Sequence, residues 1–250
     1  MNMKPGSAAP QSELPDISEK GRGLRGEPIS MDRRLFMQLL AFGNCHDPKP
    51  VIEALQKYGI TAALYADVND PYGIGLCVAA ENPDFFVTDL RALMNIGAFR
   101  TLTPKPEYTM LGRTYSIGYE NDLEHVLFAR PISRLCDPEL PWAVWYPLRR
   151  SGTFEKLPFD EQKAILAEHG KIGATYSAAG FGNDIRLACH GLDKNDNDFV
   201  IGLLGKNLHP LSAMVQTMRK TRQTSEFLTN LGPFFIGHVL WQSPVKVAQG

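Results

Sequence analysis

The chain reads as an α+β protein of two ferredoxin-like β-α-β-β-α-β halves whose antiparallel sheets pack together, of the dimeric α/β barrel type. Two observations predict this. Apolar segments run in the order strand, helix, strand, strand, helix, strand, and the order is written twice. The repetition also reaches individual residues, since DVNDPYGIGL followed by PDFFVTDLR stands against DKNDNDFVIGL followed by HPLSAMVQTMR. The expected divisions are a flexible arm over 1–30, a first half over 31–122, a linker over 123–141 and a second half over 142–250.

Residues 1–30 are rich in Pro, Gly, Ser and charge. So few large apolar residues cannot offset the entropy of ordering, which predicts a mobile tail or an arm lying across another subunit. In the first half RLFMQLLAFG reads as a buried strand, and Pro48 to Tyr58 as a helix stopped by Gly59, which can take a left-handed C-cap conformation. ITAALYADV and GIGLCVAA form a hairpin pair around NDPYG, DFFVTDLRALM a helix and EYTMLGRTYSIGYE a strand. The prolines Pro131, Pro138 and Pro141 mark the linker. In the second half WAVWYPLRR is a strand and Pro158 to Tyr176 a helix. DIRLACHGLD and DFVIGLLG are strands around KNDN, His209 to Asn230 is one helix, and PFFIGHVLW is the last strand.

A net charge of -1 from 26 basic and 27 acidic residues sets up no long-range field for nucleic acid or anionic lipid. Cys45, Cys77, Cys136 and Cys189 contain no CxxC pair, which predicts reduced thiols in a cytoplasmic protein. No apolar run reaches the roughly eighteen residues of a membrane span, and the first residues have no apolar signal region. Asp193, Asn195 and Asn197 imitate a calcium loop, but Asp198 and Leu204 stand where its glycine and glutamate belong, so a tight turn is expected. GIG at 73–75 and GFG at 180–182 lack the strand and helix context of a dinucleotide motif.

Chemistry concentrates in 157–193. His169 falls on the apolar stripe of Ile165, Leu166, Ile172 and Tyr176, while Gly170 and Gly173 beside it leave space for something flat. On the next strand Asp184, Arg186, Ala188 and His190 share one face, opposite Ile185, Leu187 and Cys189. The residues alone admit two accounts: a ligand-bearing helix over a cavity, or a core histidine beside a half-exposed strand.

In their order and spacing EHGKIGATY, GLDKNDNDFV, MRKTRQTSEF and GPFFIG resemble the chlorite dismutase family, which includes the coproheme decarboxylases. The resemblance covers most of 142–241 and, more weakly, the first half. It implies a heme protein with His169 as axial iron ligand and with Gly170 and Gly173 making room for the porphyrin. The porphyrin is heme b as cofactor, or coproheme as substrate. Asp184 stands where chlorite-degrading members carry an arginine and decarboxylases often a glutamine, with Arg186 two residues later. This pair is either the distal acid–base and anion-stabilising set or a surface ion pair. Tyr146 matches the tyrosine that oxidises a propionate in decarboxylases, and it also suits an aromatic filling the sheet interface. Arg149 or Arg150 would hold a propionate, and Tyr115 joins the cofactor-binding set. Arg222 or Gln223 takes the place of the glutamate that often bonds to the axial histidine. The implied activity is decomposition of chlorite to chloride and dioxygen, or use of peroxide, by a homo-oligomer of five or six subunits. The alternatives are coproheme decarboxylase and a non-catalytic heme-binding or scaffold protein.

Overall fold

The computed structural model describes residues 14–118 and 120–244. A two-stranded hairpin of β1 (Glu19–Arg22) and β2 (Pro28–Met31) comes first. The first half follows as β3 (Phe36–Gly43), α1 (Lys49–Tyr58), β4 (Ala62–Asp67), β5 (Ile74–Ala80), α2 (Asp84–Val87), α3 (Asp89–Met94), the two-residue β6 (Thr103–Pro104) and β7 (Met110–Arg113). A turn of wide π-helix at His125–Ala129 leads into α4 (Arg130–Leu135). The second half is β8 (Trp142–Arg150), α5 (Phe159–Ala178), β9 (Asn183–Ala188), β10 (Phe199–Gly205), α6 (Leu208–Met218), α7 (Arg222–Phe227), β11 (Leu228–Leu231) and β12 (Phe235–Gln242).

Both halves have the ferredoxin-like strand order, β7-β3-β5-β4 in the first and β12-β8-β10-β9 in the second, and every pairing is antiparallel. The two sheets join along β4–β12 and touch at β7–β9, so the strands close into a barrel. Parity along each strand then sorts the residues. Met37, Leu39, Tyr65, Cys77, Trp145, Ile185, Leu187, Val200 and Phe235 fill the barrel. Val144, Tyr146, Leu148 and Leu203 face outward and pack with Leu211 and Met214 of α6. Glycines on inner walls admit the largest rings: a Cβ at Gly202 would lie 2.6 Å from the Trp145 ring, and one at Gly75 2.3 Å from that of Phe235.

The structure departs from the expected elements in several places. Of the expected arm, residues 1–13 lie outside the described residues, while Glu19 of β1 accepts hydrogen bonds from Arg113 Nη1 (2.8 Å) and from Ser116 N (2.9 Å). Charge that looks like a solvated tail in sequence thus finds partly buried partners on the body of the protein. The expected linker contains α4, where Pro131 occupies the first turn, a place that tolerates a missing N–H. The helix expected over DFFVTDLRALM is broken at Thr88 (φ -110°, ψ -91°). The helix expected over His209 to Asn230 ends at Met218, and β11 replaces its last turn. β9 stops at Ala188, so His190 lies in the following turn rather than on a strand face. That turn is tightened by Asp193, whose Oδ2 accepts from Asn195 N and from both Asn197 nitrogens, as expected of a hairpin rather than a calcium loop.

Candidate functional site

Helix α5 lies over the outer face of the second sheet. Of its twenty residues only Ile165 is fully buried, while His169, Ile172, Gly173 and Tyr176, which follow it along the same stripe, are half-buried. The rest of that stripe is thus only partly covered by the sheet. The sheet presents a cross-strand row of Arg186, Ile201 and Tyr146, set by the registers Ile201↔Arg186 and Ile201↔Tyr146. Asp184 sits on the same face two residues before Arg186, and Arg150 on the same face of β8 as Tyr146, by strand alternation.

His169 is the centre of the helix wall. Its Nδ1 is 3.3 Å from Thr221 Oγ1. Burial lowers its pKa, and the positive charges of Arg186 and Arg150 lower it further, so the imidazole is neutral at neutral pH. A neutral imidazole with one nitrogen engaged offers the other as a donor to a metal.

Arg186 and Arg150 also act on Tyr115, whose pKa is nonetheless raised by burial. The Tyr115 ring is 5.6 Å from Phe199, which in turn lies under the Arg150 guanidinium at 4.9 Å. Phe154 stacks on Arg150 at 4.4 Å, and Glu155 pairs with it at 3.5 Å. Its Nε is buried without a hydrogen-bond partner. A buried guanidinium N–H left unpaired is costly, which marks a place for an acceptor such as a carboxylate. Arg149, one residue earlier, turns the other way and pairs with Asp196 of the β9–β10 turn.

Asp184 is clamped by two guanidiniums: Arg186 Nε lies 3.1 Å from its Oδ2, and Arg134 Nη1 3.0 Å from its Oδ1. Beside it a hollow of about 10 Å³ is lined by Tyr115, Arg130, Asp184 and Arg186 among others. That is room for about one water molecule. Arg130 has no ion pair among the described residues, and burial together with Arg134 and Arg186 lowers its pKa.

Tyr146 is 4% exposed and packs on Phe234, with ring centroids 4.7 Å apart. Burial raises its pKa strongly, which keeps the phenol protonated. A side chain at Gly170 would meet nothing within 4 Å, and one at Gly173 would meet the Met218 methyl at 3.6 Å.

The structure therefore groups His169, Arg186, Asp184 and Arg150 between α5 and the outer face of the second sheet, with Tyr115 beside the arginines and Tyr146 buried against Phe234 in the same cross-strand row, and it leaves Arg149 and the exposed Gly170 turned away. Sequence reasoning missed Arg130 and Arg134, which lie in the expected linker, and Thr221. The residues expected behind His169 are engaged elsewhere: Arg222 pairs with Glu161 and Glu226, and Gln223 is buried in α7. The hydroxyl one residue earlier takes the place, because the chain is extended there and Thr221 is 2% exposed.

A sequence model for the family described as Chlorite dismutase matches residues 91–240, more than half of the chain. No curated protein sequence matches. Among solved structures, a heme-binding protein from Thermus thermophilus superposes with a TM-score of 0.64 at 17% identity, over 92% of this chain and 96% of that one. A chlorite dismutase from Candidatus Nitrospira defluvii in complex with imidazole gives 0.65 at 16% identity, over 84% and 92%. At such identities the structural likeness is one of fold.

Proposed function

Since this chain belongs to the chlorite dismutase family, we propose that it is a heme-dependent oxidoreductase, with His169 the axial ligand and a small anionic oxidant such as chlorite, or peroxide, as substrate. The observation that carries this is His169 itself, a neutral imidazole whose Nδ1 is engaged and which has two guanidiniums near it on the sheet. These residues have the chemistry to hold a porphyrin. The half-buried stripe of α5 gives a flat guest a wall, Gly173 adds no side chain to it, and the unpartnered Arg150 Nε is placed for a propionate carboxylate. Bound heme would supply an iron with an open coordination position at which the oxidant is reduced.

The chain's own residues supply the charge. Arg186, aimed by its bond to Asp184, would hold the anionic oxidant and then the departing anion. Asp184 faces two guanidiniums, so the cluster of Arg134, Arg186 and Asp184 keeps one net positive charge for that task. With its oxygens committed to these contacts, Asp184 serves to position Arg186. The test is the absorption spectrum after heme is added to the native protein and to His169→Ala, followed by oxygen evolution with chlorite. A Soret band that is the same in both proteins would overturn the assignment of His169.

Tyr146 favours a second reading, coproheme decarboxylase, because its ring lies in the same cross-strand row as Arg186. Tyr146→Phe should then abolish loss of carbon dioxide from coproheme and leave chlorite turnover unchanged. Persistence of decarboxylation in that variant removes Tyr146 from any redox role.

A further inference from the structure

We propose that Thr221 is a positioning residue that fixes the tautomer of His169 and so leaves Nε2 as the donor; the inference rests on the reading of His169 as an iron ligand. A threonine hydroxyl has one proton. At Thr221 it goes to the Met218 carbonyl, 2.8 Å away at the end of α6, in preference to Thr224 Oγ1 at 3.4 Å. The Thr221 oxygen can therefore meet His169 Nδ1 at 3.3 Å only as an acceptor, so Nδ1 carries the hydrogen and Nε2 keeps its lone pair.

The neighbouring carboxylates are engaged elsewhere. Three carboxylates lie on the facing sides of α5 and α7, and Arg222 engages all of them: its guanidinium takes Glu161 (3.1 Å) and Glu226 (3.2 Å), and its backbone N–H donates to Glu168 (3.2 Å). Among the described residues, His169 makes its side-chain hydrogen bond to this hydroxyl and not to a carboxylate. A carboxylate on Nδ1 would raise the basicity of the ligand, whereas a hydroxyl that has already given away its own proton withdraws little from the N–H. From the other side the guanidiniums of Arg186 and Arg150 outnumber the Asp184 carboxylate, which leaves net positive charge there. Both effects favour the less positive oxidation state of a bound iron. The site is built to bind heme with an orienting, weakly donating imidazole and to hold it readily in the reduced form.

Two readouts test this. In the heme-free protein at neutral pH, ¹⁵N spectra should show His169 as the Nδ1–H tautomer, with Thr221→Ser unchanged and Thr221→Val shifted toward Nε2–H. A native Nε2–H form, or no response in Thr221→Val, overturns the proposal. In heme titrations Thr221→Val should bind about 10- to 100-fold more weakly than native protein, and Thr221→Ser should recover the affinity. Thr221→Glu should lower the midpoint potential of the bound heme. Equal affinities in native and Thr221→Val, or an unmoved potential in Thr221→Glu, also overturn it. Should the tautomer respond as stated while native protein takes up no heme, the positioning role stands and the heme reading fails.

Discussion

Arg149 and Arg150 are neighbours in the chain, and a strand sends them in opposite directions. Arg150 lies on the His169 side of the strand with an unpartnered Nε, while Arg149 pairs with Asp196 on the other. A charge-assisted hydrogen bond is worth about 1.5–3 kcal/mol. Arg150→Ala should therefore weaken porphyrin binding by about 10- to 100-fold, whereas Arg149→Ala should leave it unchanged, as measured by heme titration. Sequence alone carried both arginines forward, because parity decides between them only once the strand's facing is known. The placement of His169 and Arg186 toward each other was legible from helical and strand periodicity. Thr221 was not, because its role depends on a tertiary contact fifty-two positions away along the chain. The cysteines give a second residue-scale prediction. Burial, with Asp193 and Asp198 nearby, pushes the Cys189 thiol up to about 12, and burial raises Cys77 as well. A folded pKa above the unfolded one gives stability that is complete below about pH 8.5 and is lost as the pH rises toward 12. Denaturant midpoints should fall across that window, by about 1.4 kcal/mol per pH unit for each thiol. At neutral pH, alkylation of Cys189 should require unfolding.

Helical glycines and strand glycines have opposite roles in this protein. Gly170 lies on the exposed side of α5, where an added methyl meets nothing, so Gly170→Ala should raise stability by about 1 kcal/mol and shift the melting temperature upward. Gly202 lies against the Trp145 ring at 2.6 Å, and Gly202→Ala should lower the urea midpoint by an amount equivalent to about 1–3 kcal/mol. The order of elements was readable because apolar periodicity changes from two to about 3.6 at each junction. Breaks within helices were harder to see. Nothing in DFFVTDLRALM forbids one helix, yet the chain bends at Thr88 so that Leu90 and Leu93 reach the core. In the same way Thr221 takes an extended conformation that starts α7 in a new direction, where periodicity alone carries the helix through.

The barrel closes unevenly. β4 and β12 share a run of paired residues from Asp67 to Ala63, whereas β7 and β9 meet at the single pair Arg113↔Ala188. Arg113 is also the residue that Glu19 holds, so the N-terminal hairpin pins the weaker seam. Amide hydrogens along β7 and β9 should exchange faster than those of β4 and β12, and Glu19→Gln should widen that difference; equal rates on both seams would show that the hairpin bears no such load. The wall opposite His169 is β9, the strand with this loosely fastened border. A border fastened at a single pair of residues makes β9 the stave of the cylinder that parts most easily from its neighbour.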